Sequence, residues 1–142
     1  MLTLTAIVRP AVFTVVDSVI VRTPGAKSMV SPGVPQIGAD EGARKVQEGA
    51  VLLDVREADE WAAGQAPAAT HIRLAEVPER VGDLPGDAEV VVICRSGARS
   101  DRAAAFLRAQ GIDAANLAGG MQAWAAAGLD VITDDGDPGR VI

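Results

Sequence analysis

Two short apolar segments constrain the fold of this chain more than any other feature. Residues 51–55 read VLLDV and residues 89–93 read EVVVI, so each is a run of mostly branched aliphatic residues with one acidic residue near an end. Uninterrupted runs of this kind are typical of strands that are buried on both faces of a parallel sheet. Segments with helical patterns alternate with such strands at short spacing. The sequence therefore predicts an α/β fold, with a mostly parallel sheet and helices on both faces.

The other elements are predicted from helical periodicity and from glycines that end helices. The clearest helix is predicted at residues 100–110, where apolar side chains share one face and Ser100 can supply the N-terminal cap. Asp40 is the predicted cap of an earlier helix. Further helices are predicted at 40–46, 57–63 and 121–127, further strands at 71–72 and 114–117, and a broken helical turn at 74–81.

Length and composition exclude several classes of protein. The chain has 142 residues, the size of one compact domain. Its 13 basic and 19 acidic residues give a formal net charge of -6, which argues against nucleic acid or a membrane as the main partner. Tyrosine is absent, so the aromatic platforms that stack single-stranded nucleic acid are missing. The single cysteine cannot form an intramolecular disulfide, and we therefore expect a reducing compartment, the cytoplasm.

The two ends of the chain differ in character from its middle. Residues 1–28 are rich in β-branched residues, but their apolar runs are too short to span a bilayer and too interrupted for a signal peptide. We expect residues 1–34 to form an extension and linker, either an edge strand or poorly ordered, with Met29 as a hypothetical alternative start. We expect residues 132–142 to form an acidic C-terminal tail, and the stretch from residue 130 onward to be frayed.

The residues with chemical potential are concentrated in the segment 93–100, which reads ICRSGARS. It leaves a buried strand and enters a helix, and ligands of open parallel sheets bind beyond the carboxyl ends of strands. Unpaired N–H groups at the helix start favour a thiolate, so the pKa of Cys94 is predicted to be lowered. Arg95 and Arg99 add positive charges that could hold an anionic substrate, and Gly97 permits a positive φ. The pattern is typical of a cysteine nucleophile.

A purely structural explanation competes with the catalytic one. A lone cysteine at a strand end is commonly a small buried hydrophobe, and arginines at a helix end are commonly solvated. However, two arginines within five residues of the thiol, on a loop that enters a helix, have no role in packing a core. Together these residues favour a catalytic site.

Four motifs occur in a definite order along the chain. They are DVRE at 54–57, EWAAG at 60–64 followed by HI at 71–72, CRSGARS at 94–100, and GGMQAW at 119–124. Together they resemble a single-domain rhodanese, a thiosulfate sulfurtransferase-like protein. The resemblance implies a rhodanese-like domain at residues 35–131, and it does not extend to the first 28 residues or to the tail.

The resemblance implies that Cys94 carries sulfur. In this family a donor such as thiosulfate gives its outer sulfur to the thiolate and releases sulfite, and the persulfide then passes the sulfur to cyanide or to a thiol. A thioredoxin-like protein or glutathione is the kind of thiol acceptor expected, and neither a metal nor an organic cofactor is implied. By position, the loop N–H groups form the persulfide cradle and the two arginine side chains attract the anionic donor. The cradle residues are Arg95, Ser96, Gly97, Ala98 and Arg99. Inward N–H groups suit an anionic terminal sulfur.

Three further residues are expected to support the loop. Asp54, at the end of a central strand, can accept hydrogen bonds from backbone near the loop, and Arg56 can pair with Asp54 or with Glu57. Ser100 is the predicted helix cap. An ionised thiol needs no general base, so His71, the single histidine, is expected to have a structural role.

One motif departs from the family pattern. Where many members carry Gly-His-Ile-Pro-Gly-Ala, this chain has GQAPAA at 64–69, which leaves the geometry of the local turn open. Arg73 stands where a proline is common.

Other functions remain open on the sequence. Phosphatases and arsenate reductases of related fold have one residue more between the cysteine and the arginine, whereas four residues separate Cys94 from Arg99 here. The shorter loop forms a smaller anion cradle, which suits one sulfur atom. A sulfur-relay module would pass the persulfide from one protein to another with little activity on free thiosulfate. A non-catalytic scaffold would not need the cysteine.

Overall fold

The computed structural model describes residues 30–142. The expectations for residues 1–28 and for Met29 as a start lie outside the described residues. None of the helices between residues 30 and 142 is long and apolar enough to cross a membrane. The described part contains five strands, β1 Gln36–Ile37, β2 Val51–Asp54, β3 Thr70–His71, β4 Val90–Ile93 and β5 Ala114–Leu117, and five α-helices, α1 Ala39–Gln47, α2 Ala58–Ala63, α3 Val77–Arg80, α4 Ala98–Ala109 and α5 Gly120–Ala126.

The strands form one sheet in the order β1-β5-β4-β2-β3, and every neighbouring pair is parallel. In the centre of the sheet, Val90 of β4 is in register with Val51 of β2 on one side and with Ala114 of β5 on the other. The two apolar segments that predicted a buried parallel sheet are therefore neighbouring central strands, and this prediction is confirmed.

The alternating side chains of β4 show how both faces of the sheet are covered. Val90 and Val92 belong to a core cluster that includes Leu107 of α4, whereas Val91 and Ile93 belong to a second cluster that includes Trp124 of α5. All four β4 side chains are buried. Burial of each such side chain stabilises the fold by roughly 1.5–3 kcal/mol. The centre of the sheet is thereby covered on both faces by apolar side chains.

The predicted helices are all present, but two of their predicted caps are wrong. The N-cap of α1 is Gly38, and Asp40 lies in the first turn, where its negative charge faces the positive end of the helix dipole. The N-cap of α4 is Gly97, and Ser100 is the third residue of that helix. Ser100 does not cap because the glycine at 97 turns the chain into the helix three residues earlier, and the buried Ser100 hydroxyl makes the contacts described below. The predicted broken turn at 74–81 is confirmed, since α3 is flanked by 3-10 turns at Leu74–Glu76 and Val81–Asp83.

The expectation that the C-terminal segment, residues 130–142, is frayed is wrong. Ile132 pairs with Gln65 through two backbone hydrogen bonds of 2.8 and 2.9 Å, and Arg140 N–H donates to the Ala63 carbonyl at 2.9 Å. Gln65 belongs to the segment GQAPAA, which departs from the family pattern, and its side-chain Nε2 donates to Asp134 at 3.0 Å. The acidic composition suggested a solvated tail, but these backbone pairings fasten the segment to the end of α2.

Candidate active site

The loop that carries the lone cysteine joins the carboxyl end of β4 to α4. β4 ends at Ile93 and α4 begins at Ala98, so four residues make the turn. Gly97 has a φ of 111°, and a Cβ at this position would lie 3.2 Å from the backbone nitrogen of Gly119. A side chain would be strained by both the φ and the close approach. The predicted strand-loop-helix arrangement is confirmed, with glycine required at its tightest point.

The Cys94 sulfur lies inside this turn and is surrounded by hydrogen-bond donors. Cys94 is only 1% exposed. The Gly97 N–H donates to Sγ at 3.1 Å, and the Ser100 hydroxyl lies 3.3 Å from Sγ. Burial raises the pKa of Cys94, but hydrogen bonds from the Ser100 hydroxyl and from the N–H groups of Ser100, Gly97 and Ser96 outweigh it. The pKa of Cys94 is therefore lowered, which is the direction expected for a reactive thiolate.

The start of α5 holds the other side of the loop. Met121 N–H donates to the Cys94 carbonyl at 2.7 Å, and Gln122 N–H donates to the Arg95 carbonyl at 3.0 Å. A Cβ on Gly120 would meet the Cys94 carbonyl oxygen and the Arg95 backbone far inside van der Waals contact. The absence of a side chain at Gly120 thus allows the start of α5 to lie directly against the active loop.

Asn116 orients the Ser100 hydroxyl, and sequence reasoning missed it. The single hydroxyl hydrogen of Ser100 has two acceptors within reach, because Asn116 Oδ1 lies 2.5 Å and Cys94 Sγ lies 3.3 Å from the Ser100 oxygen. Asn116 Nδ2 donates to the Gly97 carbonyl at 3.1 Å and to Gln36 Oε1 at 2.8 Å. A polar side chain inside the otherwise apolar strand β5 was the signal that could have identified this residue.

The network continues to a buried carboxylate. Asp101 is 1% exposed and accepts hydrogen bonds from Gln36 Nε2 at 2.8 Å and from the Ser31 backbone N–H at 2.7 Å. The Ser31 hydroxyl also donates to it, at 2.8 Å. These N–H and O–H donors from Ser31 and Gln36 satisfy the hydrogen-bonding capacity of the buried Asp101 carboxylate. They also fix the chain before β1 to α4, the helix that carries Asp101.

Replacement of Ser100 by alanine is expected to move the pH profile of Cys94 alkylation to higher pH. The hydroxyl lowers the pKa of Cys94, so its removal raises that pKa and reduces the thiolate fraction on the acidic side of the profile. A hydrogen bond to a charged group contributes about 1.5 kcal/mol, partly offset by the greater nucleophilicity of a more basic thiolate. We therefore expect the reaction with iodoacetamide to slow roughly fivefold there. Above both pKa values the variant should react somewhat faster than the wild type, because its thiolate is the more basic of the two. A profile at the wild-type position would contradict the role of Ser100.

The Arg99 side chain does not point to an open anion site, because Glu60 binds it. Arg99 Nη1 and Nη2 donate to the two Glu60 carboxylate oxygens at 2.7 and 2.8 Å. This hydrogen bonding from Arg99 lowers the pKa of Glu60 to about 2, and it raises the pKa of Arg99 above its usual value. The donor-binding role expected of the Arg99 side chain therefore has a competitor, Glu60, that lies 39 residues away in sequence and was not anticipated.

The other loop side chains are placed at the rim of the site. Arg95 is exposed, and its Nε donates to the Ile142 carbonyl at 2.9 Å, so the C-terminal segment reaches the active loop. Ser96 and Ala98 are exposed as well. Together with Gly97 they line one side of a cavity of about 390 Å³ that opens toward Asn116 and Gly119. This cavity lies on the β1 side of the loop and is not lined by Cys94.

Asp54 and Arg56 form a fully buried ion pair, with both side chains 0% exposed. Arg56 donates to the Asp54 carboxylate through its backbone N–H, Nε and Nη2, at 3.0, 3.0 and 2.8 Å. Its remaining donors bind the carbonyls of Glu60 at 3.1 Å and Gly64 at 2.7 Å. Of the two partners expected for Arg56, the structure shows Asp54, while Glu57 pairs with Arg73. The expected contact of Asp54 with the active loop is wrong, because Arg56 occupies its carboxylate and directs the pair to α2.

The histidine is occupied by structural contacts. Its Nε2 lies 2.7 Å from the Arg56 carbonyl, and its ring stacks on Trp61 with centroids 4.6 Å apart. These contacts agree with the structural role expected of His71.

Comparisons with known proteins agree with this geometry. Residues 38–127 match the family described as "Rhodanese-like domain". The putative sulfurtransferase YtwF of Bacillus subtilis is 48% identical over 73 residues, covering 51% of this chain and 71% of the relative. A sulfurtransferase of Allochromatium vinosum is 41% identical over 90 residues, covering 63% of this chain and 84% of the relative.

A solved structure gives the same result for the fold. The rhodanese-related protein of Thermoplasma volcanium aligns with a TM-score of 0.67 and 30% identity, covering 70% of this chain and 99% of that one. The family match spans more than half of the chain and includes the cysteine loop, α2 and the start of α5. The chain belongs to the rhodanese-like family of sulfurtransferases.

Proposed function

We propose that this protein moves sulfane sulfur from thiosulfate or a related donor to a thiol or cyanide acceptor through a persulfide on Cys94. The observation that carries the proposal is the environment of the Cys94 sulfur. The Gly97 N–H and the Ser100 hydroxyl lie within 3.1 and 3.3 Å of it, and its pKa is lowered in spite of burial. The same donors that stabilise a thiolate would stabilise an anionic persulfide.

The proposed cycle needs no general base and no redox partner. The Cys94 thiolate attacks the outer sulfur of thiosulfate, a sulfur–sulfur bond forms at the enzyme, and the bond to the sulfonate sulfur breaks. Its electron pair leaves with sulfite. Attack by cyanide or by a thiolate on the terminal sulfur then releases thiocyanate or a new persulfide and restores the Cys94 thiolate. Charge balances in each step.

The loop backbone is the proposed cradle for the terminal sulfur. The N–H groups of Ser96, Gly97 and Ser100 already act on the Cys94 sulfur. We assign the N–H groups of Arg95, Ala98 and Arg99 to the same cradle because they belong to the same turn into α4. Such preformed donors stabilise charge without reorganisation during the reaction.

A relay from a protein persulfide is the second candidate, and the occupied loop arginines favour it. Arg99 is bound by Glu60, and Arg95 Nε is bound by the Ile142 carbonyl. The Glu60 carboxylate neutralises Arg99 and weakens its attraction for a free anionic donor, whereas the Ile142 contact uses only Nε of Arg95. A cysteine persulfide presented by a partner protein would depend less on that attraction.

Intact-protein mass spectrometry tests the proposal. After incubation with thiosulfate and desalting, we expect the protein to gain one sulfur atom on Cys94 and to lose it when cyanide is added. Peptide mapping locates the added sulfur, and Cys94 is the only cysteine in the sequence that can carry it. If thiosulfate adds no sulfur but a protein persulfide does, the relay is the function. If neither donor adds sulfur, transfer through Cys94 is refuted.

A further inference from the structure

Glu60 belongs to α2, but its side chain binds a residue that follows the cysteine loop. Its carboxylate binds both terminal nitrogens of Arg99, and Arg99 is close enough to Cys94 for the two charges to interact. The Arg99 side chain is 29% exposed and that of Glu60 is 14% exposed, so the pair lies at the partly buried edge of the site. The positive charge of Arg99, at the start of α4, is thereby neutralised.

The Glu60 carboxylate is fixed before any donor arrives. Its Oε1 accepts the Glu57 backbone N–H at 2.9 Å, which completes a capping box at the start of α2. Arg56 donates to the Glu60 carbonyl and so fastens the same residue from the other side. An incoming anion must therefore compete for Arg99 with a carboxylate that is already ordered and loses no further conformational entropy.

The donor's charge decides how strongly this competition matters. Thiosulfate carries two negative charges, whereas methanethiosulfonate carries one and offers the same outer sulfur. With thiosulfate the leaving group is sulfite, and with methanethiosulfonate it is methanesulfinate, so the bond that breaks is equivalent. The two donors differ mainly in their attraction to a free guanidinium.

Building on the proposed sulfur transfer, we infer that Glu60 is a specificity-determining residue that neutralises Arg99 and thereby selects donors of low charge over dianionic thiosulfate. The sulfur atom is still taken by Cys94 and the cradle is unchanged. What Glu60 sets is the class of donor that reaches the cradle.

Replacement of Glu60 by glutamine tests this inference. Glutamine can keep Oε1 as acceptor for the Glu57 N–H and for Arg99 Nη1. Its Nε2 is a donor that faces the donor Nη2, so the second hydrogen bond is broken and the carboxylate charge is removed. Because Coulomb energy scales with donor charge, we expect kcat/KM to rise about tenfold for thiosulfate and about threefold for methanethiosulfonate. The gain should arise in KM and shrink at high ionic strength.

Two control variants isolate the contact. Glu48→Gln removes the same charge from the exposed pair with Arg44 on α1, and kcat/KM for both donors should stay at the wild-type value. In the double variant Glu60→Gln/Arg99→Gln the thiosulfate gain should disappear, because the liberated cation is absent.

The outcomes separate this inference from the proposed function. The specificity role of Glu60 is overturned if Glu60→Gln raises kcat/KM equally for both donors. It is also overturned if kcat/KM for thiosulfate does not rise while the wild type still forms the Cys94 persulfide. In both cases sulfur transfer through Cys94 stands. If no sulfur reaches Cys94 from either donor in either protein, both proposals fall.

Discussion

Replacement of Cys94 by serine is expected to lower sulfur transfer by more than about a thousandfold, because the nucleophile of the proposed cycle is removed. A serine hydroxyl in the same place is not ionised near neutral pH and attacks sulfur poorly. It can still accept the Gly97 N–H that now binds Sγ at 3.1 Å. We therefore expect the free energy of unfolding to change by less than about 1.5 kcal/mol.

The measurement pairs cyanide-dependent thiocyanate formation with denaturant unfolding of the same protein samples. Cys94→Ala serves as the matched variant, since it removes the polar atom as well and leaves the Gly97 N–H without its acceptor. Both variants should lack transfer, while serine should retain more stability than alanine. Wild-type turnover by either folded variant would eliminate Cys94 as the sulfur carrier.

The arrangement of the sheet was predictable because its signals are local. Runs such as VVVI at 90–93 are apolar on both faces, and only a central strand of a covered sheet buries both. The cysteine loop was predictable for a similar reason, since a thiol at the end of such a strand and before a helix falls at the ligand-binding edge. Strand and helix identities therefore followed from neighbours within a few residues.

The contacts that orient the site were not predictable in this way. Asn116 of β5 binds Ser100 of α4 across 16 residues of sequence, and the helix begins before Ser100, with Gly97 as its cap. Glu60 lies 39 residues from Arg99, and Ile132 lies 67 residues from Gln65, so no local pattern announces either pair. The acidic composition of the C-terminal segment predicted a frayed tail, and this was wrong because backbone hydrogen bonds hold the segment against the end of α2.

Replacement of Arg56 by methionine is expected to lower the free energy of unfolding by about 3–5 kcal/mol, the largest stability effect among these variants. The change leaves the Asp54 carboxylate fully buried without its partner. It also removes the donors to the Glu60 and Gly64 carbonyls. Denaturant unfolding followed by circular dichroism measures the loss.

The double variant Asp54→Leu/Arg56→Met distinguishes a stranded charge from lost packing. It removes both charges, so the penalty of a buried unpaired carboxylate disappears. The two carbonyls still lose their donor, and the backbone N–H of residue 56 loses its Asp54 acceptor. We expect it to be more stable than Arg56→Met alone, with the remaining deficit about 1–3 kcal/mol. Arg73→Met, which breaks an exposed pair with Glu57 and Glu76, should be close to the wild type.

The same experiment connects stability to the active loop. Arg56 fastens α2 through the Glu60 carbonyl, and the Glu60 side chain in turn binds Arg99 on the loop. If this connection holds, the double variant should fold yet show a thiosulfate KM closer to that of Glu60→Gln than to that of the wild type, since a loosened α2 releases Arg99. A folded double variant with the wild-type KM would show that Glu60 keeps its place without Arg56, and a single variant of wild-type stability would show that the buried pair contributes little to the fold.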